Sequence, residues 1–418
     1  MQVFEVTGGR ALEGTVTVSG AKNSVLPIMA ACLVIGEICV LHNCPDISDV
    51  SCAEQILREL GCEIVRQGST LWIDARKSGG SRVLPAVSGE MRSSVLFLGA
   101  LSAARGEANI AFPGGCRLGK RPIDLHLQAL RELGAEAEQT ETGVVCRAER
   151  LHGGQITLAY PSVGATENAI LCAMGARGEV LLRNAAQEPE IDDLIAFLRS
   201  AGASIRKNGS EICIHGGKPL HSTTYTIMPD RIEAATYLCA LAGCGGKLCL
   251  KRAAPEVMEP VLSVLRQCGC EIRSECDTLY IRREGRLLMP DTVVTQPYPG
   301  FPTDVQAPLM AALLCARGEG QIVETVFEDR LRHVRQMKKL GADITVSGRV
   351  AIVRGVERLH AADLQAQDLR AGAALTIAAL CAEGKSRISG VKYIKRGYDK
   401  IEESLAALGA GIKCVEIP

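Results

Sequence analysis

LRELGCEI, residues 57–64, is the stretch on which the fold turns, because it returns five more times. The copies are LRELGAEA (130–137), LRSAGASI (198–205), LRQCGCEI (265–272), MKKLGADI (337–344) and LAALGAGI (405–412). Their glycines, Gly61, Gly134, Gly202, Gly269, Gly341 and Gly409, recur at a spacing of about 70 residues, a repeat architecture by period alone. Upstream of each phrase lies an apolar run of small residues closing on a glycine turn, as in MAACLVIGE (29–37) and LLCARGE (313–319). Glycine suits the left-handed position that ends a helix. A short apolar strand, a polar loop and an amphipathic helix ending in the phrase complete the unit. Alternating segments such as TLWIDAR (70–76), EICIHGG (211–217) and TLYIRRE (278–284) then read as strands. Each module is marginal alone and stable against its neighbours. Six modules in 418 residues divide into two domains of three.

The composition bounds the function. Lys+Arg and Asp+Glu are both 47, so no net basic charge points to nucleic acid or an anionic membrane. One Trp and 3% aromatics leave no stacking platform for bases. The start, MQVFEVTGGRALEG, carries no basic and then apolar leader, and the apolar run near Val25–Ile35 is too short to span a bilayer, so a cytoplasmic protein is expected. Eighteen cysteines are scattered, which fits buried reduced thiols and not a disulfide framework. Cys32, Cys172, Cys239, Cys315 and Cys381 sit in apolar runs, and the C-x-C of Cys268 and Cys270 gives no zinc spacing with seven dispersed histidines. Cys116 is the exception.

Repetition also exposes what differs between copies. The entrances to the first helices carry Lys22-Asn23, Arg92, Ser162-Val163-Gly164, Asp230-Arg231, Thr303-Asp304 and Arg370; the second loops carry Arg121, Arg330 and Arg396 among others. Helix N-termini favour anions, so cations gathered there in a neutral chain point to a ligand with several negative charges. Solvated helix-end ion pairs are the alternative.

PGGCRLGKRPIDLH (113–126) is the sharpest local signal: a Gly-rich loop in which Arg117, Lys120 and Arg121 would favour the Cys116 thiolate. CRLGKR also resembles a sulfurtransferase loop and falls one residue short of a phosphatase C-x₅-R loop, though neither explains six modules. In YPGFPTDVQAPL (298–309), a rigid turn delivers Asp304 to a helix start, as an N-cap or as a general base. VFEDRLRHV (326–334) brings Arg330, either functional or part of an ordinary charged helix start. DLRAGAAL (368–375) brings Arg370, and KYIKRGYDKI (392–401) brings Arg396. In SVGATEN (162–168), Gly164 permits close backbone approach to a ligand or simply turns strand into helix.

Together these segments, with SGAKNSVLPIMAA, MRSSVLFLGAL and PDRIEAATY, resemble the UDP-N-acetylglucosamine 1-carboxyvinyltransferase family from end to end and in motif order. The resemblance implies an inside-out α/β barrel fold, three modules per domain, with domains at 22–229 and at 1–21 plus 230–418. It implies transfer of the enolpyruvyl group of phosphoenolpyruvate to the 3′-hydroxyl of UDP-N-acetylglucosamine, the opening of peptidoglycan synthesis, without a metal or resident cofactor. Lys22, Asn23, Arg121, Arg330, Arg370 and Arg396 would hold phosphoenolpyruvate. Arg92, Arg121, Pro122, Ile123, Asp124, Leu125, Ser162, Val163, Gly164, Asp304 and Val326 would hold the UDP-sugar. Cys116 would be the acid, able to form a covalent adduct with phosphoenolpyruvate and to react with fosfomycin. Asp304 would assist deprotonation of the hydroxyl, with Lys22 and Arg396 in the catalytic set. The shikimate-pathway transferase and a binding-only paralogue are the alternatives. The chain departs from the family at Tyr393 and Lys395, where members often carry His and Asp, and at Ala235, a common glycine.

Overall fold

The computed structural model describes residues 1–89, 91–112, 114 and 122–417. Their contacts divide into two units, one holding residues 20–114 and 122–228, the other 1–19 and 229–417. Both are built on one plan.

In the first unit, helices α1 (Lys22–Ile35), α2 (Phe97–Arg105) and α3 (Val163–Ala173) pack on one another at the centre. α1 and α3 are apolar on nearly every side, which is what a helix surrounded by protein requires. Three four-stranded sheets cover them. In two of them, the strand before a core helix lies parallel to the strand after it, and two antiparallel strands follow. Thr223–Thr226 closes the set by pairing parallel with Ile38–His42, which pairs antiparallel with Thr70–Asp74 and that in turn with Glu63–Gln67.

The second unit repeats the plan with α4 (Arg231–Cys244), α5 (Thr303–Leu313) and α6 (Leu369–Cys381) at its centre. The chain start belongs here. Gln2–Thr7 lies between Lys385–Ser389 and Gly411–Glu416, and Leu12–Thr17 runs parallel to Gly246–Lys251. The departure at Ala235 is fully buried on α4.

The repeated phrase acquires a physical meaning. Its six glycines all have φ between 87° and 96°. Each donates its N–H to a carbonyl three residues back, as Gly61 does to Arg58 at 3.0 Å. In five copies the residue after glycine bonds the leucine that opens the phrase, as Cys62 does to Leu57 at 2.9 Å. That pair of bonds is the Schellman cap, which needs a left-handed residue and therefore selects glycine.

No disulfide forms among the described residues. Cys32, Cys172 and Cys239 are buried, as expected. Cys315 and Cys381 are partly exposed, because they stand where core helices end and the packing opens. No helix among the described residues is long and apolar enough to cross a membrane.

Candidate active site

In the second unit, Pro302 precedes α5 and places Asp304 in its first turn. Asp304 is not the N-cap. Its Oδ1 accepts from Arg330 Nη2 at 2.7 Å, and its Oδ2 accepts from Arg370 Nε and Nη2 at 3.1 and 2.8 Å. Both arginine side chains are almost wholly buried, at 5% and 3% exposed, whereas that of Asp304 is 25% exposed. Arg330 is therefore no solvated helix-start charge. Burial, the largest single influence, favours loss of the Arg370 proton, but Asp304, Tyr398 and Asp230 together outweigh it and the guanidinium stays charged. The Arg370 guanidinium lies 5.3 Å from the Tyr398 ring centre, and that of Arg330 lies 5.4 Å from Phe327. Each ring adds a favourable contact to its cation.

Glu324 was not among the residues singled out from the sequence. It is 1% exposed. Its Oε1 accepts the N–H groups of Val326 and Phe327 at 2.8 and 2.9 Å, and its Oε2 accepts from Thr303 Oγ1 at 2.8 Å. One carboxylate thus fixes the Val326 loop to the residue beside Asp304. Arg396 follows the Val391–Ile394 helix in a half-buried turn. Beside it, Lys395 donates to Gln2 Oε1 at 2.9 Å, and Lys392 lies over the Tyr393 ring.

In the first unit, Lys22 opens α1, with half-buried Asn23 next. Its ammonium is 3.1 Å from the buried carboxylate of Asp49. Ser24, two residues on, donates to Asp193, which also accepts from Tyr225 at 2.6 Å. Burial pushes the Asp193 carboxyl up against these bonds. Burial also pushes Glu167 well above the carboxylate range, with Glu190 and Glu188 adding to it and Lys22 opposing.

Pro122 and Ile123 lead into the Asp124–Glu132 helix, with Asp124 and Leu125 in its first turn. Ser162 caps α3, accepting from the Ala165 N–H at 3.4 Å, and Val163 and Gly164 open it. Gly164 stands close to His126: a Cβ there would meet the ring at 3.0 Å, so the ring would have to shift. Asn168 ties these segments together. It donates through Nδ2 to the Val95 carbonyl at 2.9 Å and to His126 Nδ1 at 2.7 Å, and accepts the Gly99 N–H at 2.8 Å. Arg92 opens the short helix that contains Val95. The motif SVGATEN contains Asn168, but its role depends on partners 42 and 73 residues away.

Lys22, Asn23, Arg92, Pro122–Leu125 and Ser162–Gly164 thus belong to the first unit, and Asp304, Val326, Arg330, Arg370 and Arg396 to the second. Cys116 and Arg121 lie outside the described residues.

The fold has close relatives. The enolpyruvyl transferase NikO from Streptomyces tendae superposes with a TM-score of 0.90 at 27% identity, covering 100% of this chain and 99% of that one. An EPSP synthase from Acinetobacter baumannii shares the fold at a TM-score of 0.75 and 21% identity over the full length of both. Residues 6–405 match the family of EPSP synthase (3-phosphoshikimate 1-carboxyvinyltransferase). Six modules of this kind therefore make an enolpyruvyl transferase, and the chain is an enzyme of the transferase class. The UDP-N-acetylglucosamine 1-carboxyvinyltransferase 2 of Caldanaerobacter subterraneus subsp. tengcongensis is 45% identical over 413 residues, 99% of each chain. The UDP-N-acetylglucosamine 1-carboxyvinyltransferase of Zymomonas mobilis is 44% identical over 425 residues, 99% of this chain and 100% of its own. The chain belongs to the UDP-N-acetylglucosamine 1-carboxyvinyltransferase family.

Proposed function

We propose that this chain transfers the enolpyruvyl group of phosphoenolpyruvate to the 3′-hydroxyl of UDP-N-acetylglucosamine, releasing phosphate, in the cytoplasm and at the start of peptidoglycan synthesis. The observation that carries the reading is Asp304: a carboxylate fixed in orientation by two buried arginines, with part of its surface open to an incoming hydroxyl.

In this scheme Cys116 gives its proton to the methylene carbon of phosphoenolpyruvate, and the neighbouring carbon gains oxocarbenium character. The sugar hydroxyl adds there while Asp304 takes its proton, giving a tetrahedral phosphoketal. Loss of a methyl proton and of phosphate then restores the double bond in the product. In this reading Lys22, Arg121 and Arg396 neutralise the donor's phosphate and carboxylate, and Asn23 contacts the donor. Arg330 and Arg370 act first on Asp304, fixing its orientation, and add positive charge behind it. Pro122–Leu125, Ser162–Gly164, Arg92 and Val326 receive the nucleotide sugar.

Phosphate release decides the matter. It should require phosphoenolpyruvate with UDP-N-acetylglucosamine and be absent with shikimate 3-phosphate. Release only with the shikimate ester would overturn the assignment, and binding of the nucleotide sugar without release would make the chain a sensor.

A further inference from the structure

A second group of reactive side chains lies in the first unit, on strands that the transfer chemistry does not use. Burial alternates along Glu211–His215, turning Ile212 and Ile214 inward and leaving Cys213 and His215 on the opposite face. The antiparallel register with Arg177–Arg183 sets Glu179 directly opposite His215. The His215 Nε2 atom is 3.1 Å from Glu179 Oε2 and 4.0 Å from Cys213 Sγ, and all three ligand atoms lie within 4.8 Å of one another.

These separations bracket a metal site. Zinc bonds of about 2.3 Å to sulfur and about 2.0–2.2 Å to nitrogen and oxygen place tetrahedral ligands roughly 3.3–3.6 Å apart. The strand ladder fixes the register of the three residues, so closing the difference falls to their side chains. We infer that Cys213, His215 and Glu179 form a zinc-binding site, with water in the fourth position.

The donor set argues for the ion. A thiolate and an imidazole favour zinc over magnesium or calcium, and thiolate plus carboxylate balance its two charges. Arg206 stands opposite Cys213 on the next strand. Farther along the same face, Glu211 is engaged by Arg183 at 3.2 Å. The linear sequence shows only C-x-H here; the third ligand comes from another strand. The site is independent of the transferase reading, and its function would be to pin two strands of one sheet.

Cobalt(II) is the probe, with the full-length chain in a Cys116→Ser background so that this thiol contributes nothing. One equivalent should bind with a sulfur-to-cobalt charge-transfer band. Cys213→Ser should abolish that band, whereas Cys276→Ser, at an exposed thiol in the other unit, should leave it intact. His215→Gln and Glu179→Gln, both at surface positions, should each weaken binding by on the order of tenfold or more, since even second-shell losses reach that size. Zinc should raise the thermal midpoint of the Cys116→Ser parent and not that of Cys213→Ser/His215→Gln. A band that survives Cys213→Ser, or no cobalt band in the parent, overturns the site.

Discussion

Arg370 grips Asp304 through two donors on a single oxygen, Nε at 3.1 Å and Nη2 at 2.8 Å from Oδ2, which leaves Oδ1 to Arg330. The orientation of the carboxylate is thereby held, while a quarter of its side-chain surface stays open. Removing its charge should do two separable things. Asp304→Asn should lower phosphate release by about 10²-fold or more, the scale of a lost general base. It should also destabilise the chain by about 3–5 kcal/mol, because two buried cations lose their counter-charge. A steady-state assay and a denaturant titration read the two effects. Asp304→Asn turning over near the parent rate would remove Asp304 from the chemistry.

Glu324 touches no proposed reacting atom, so its effect should appear through Val326 and Thr303. Glu324→Ala leaves two N–H groups and a hydroxyl without their acceptor, at about 1–3 kcal/mol for buried groups. The expected signature is a raised KM for the nucleotide sugar with a smaller change in kcat. Glu324→Gln, which keeps acceptor oxygen for one side, should recover part of it. Equal losses in kcat and kcat/KM would instead place Glu324 in the transition state.

The parts of this architecture that were legible in the sequence are the local ones. A glycine-ended helix phrase is written in consecutive residues, so its six copies announced the period and the module count. The cation-bearing helix starts were visible for the same reason. What could not be read was the pairing across modules. Asp304 and Arg370 are 66 residues apart, and Asn168 and Val95 are 73. Each is a module length, so the contact joins like positions of neighbouring repeats, a relation periodicity suggests but does not specify. Glu324 was hidden for a different cause: an acidic residue at a strand end looks like any solvated charge until backbone N–H groups converge on it.

The thiol and the phosphate clamp make a third test. Fosfomycin should modify the parent chain once, and Cys116→Ser should lose that adduct; unchanged stoichiometry by intact mass would mean another thiol reacts. Arg121→Ala and Arg396→Ala should each weaken phosphoenolpyruvate binding by about 1.5–3 kcal/mol, the value of a charge-assisted hydrogen bond. Calorimetry that finds both affinities unchanged would take the pair out of the site.

Glu233 predicts a pH effect on stability. Burial raises its carboxyl to about 8, with Asp230 adding to the shift and the Ser19 N–H and Tyr237 hydroxyl opposing. Those two donors reach it at 2.8 and 3.1 Å. A carboxyl whose native value exceeds its ordinary 4.5 binds its proton more tightly when folded. Its contribution to stability is complete below about 4.5, drains away as pH rises to about 8, and is constant above. Glutamine keeps an acceptor and cannot ionise. Glu233→Gln should therefore match the parent near pH 4.5 and become progressively the more stable of the two toward pH 8, by an amount on the order of a few kcal/mol. Asp193 and Glu167 are shifted in the same direction, so the variant should lose part of the parent's slope and not all of it. Unfolding free energies at several pH values give the difference curve directly. A curve that is flat across this window would mean that Glu233 titrates at its ordinary value in the folded chain.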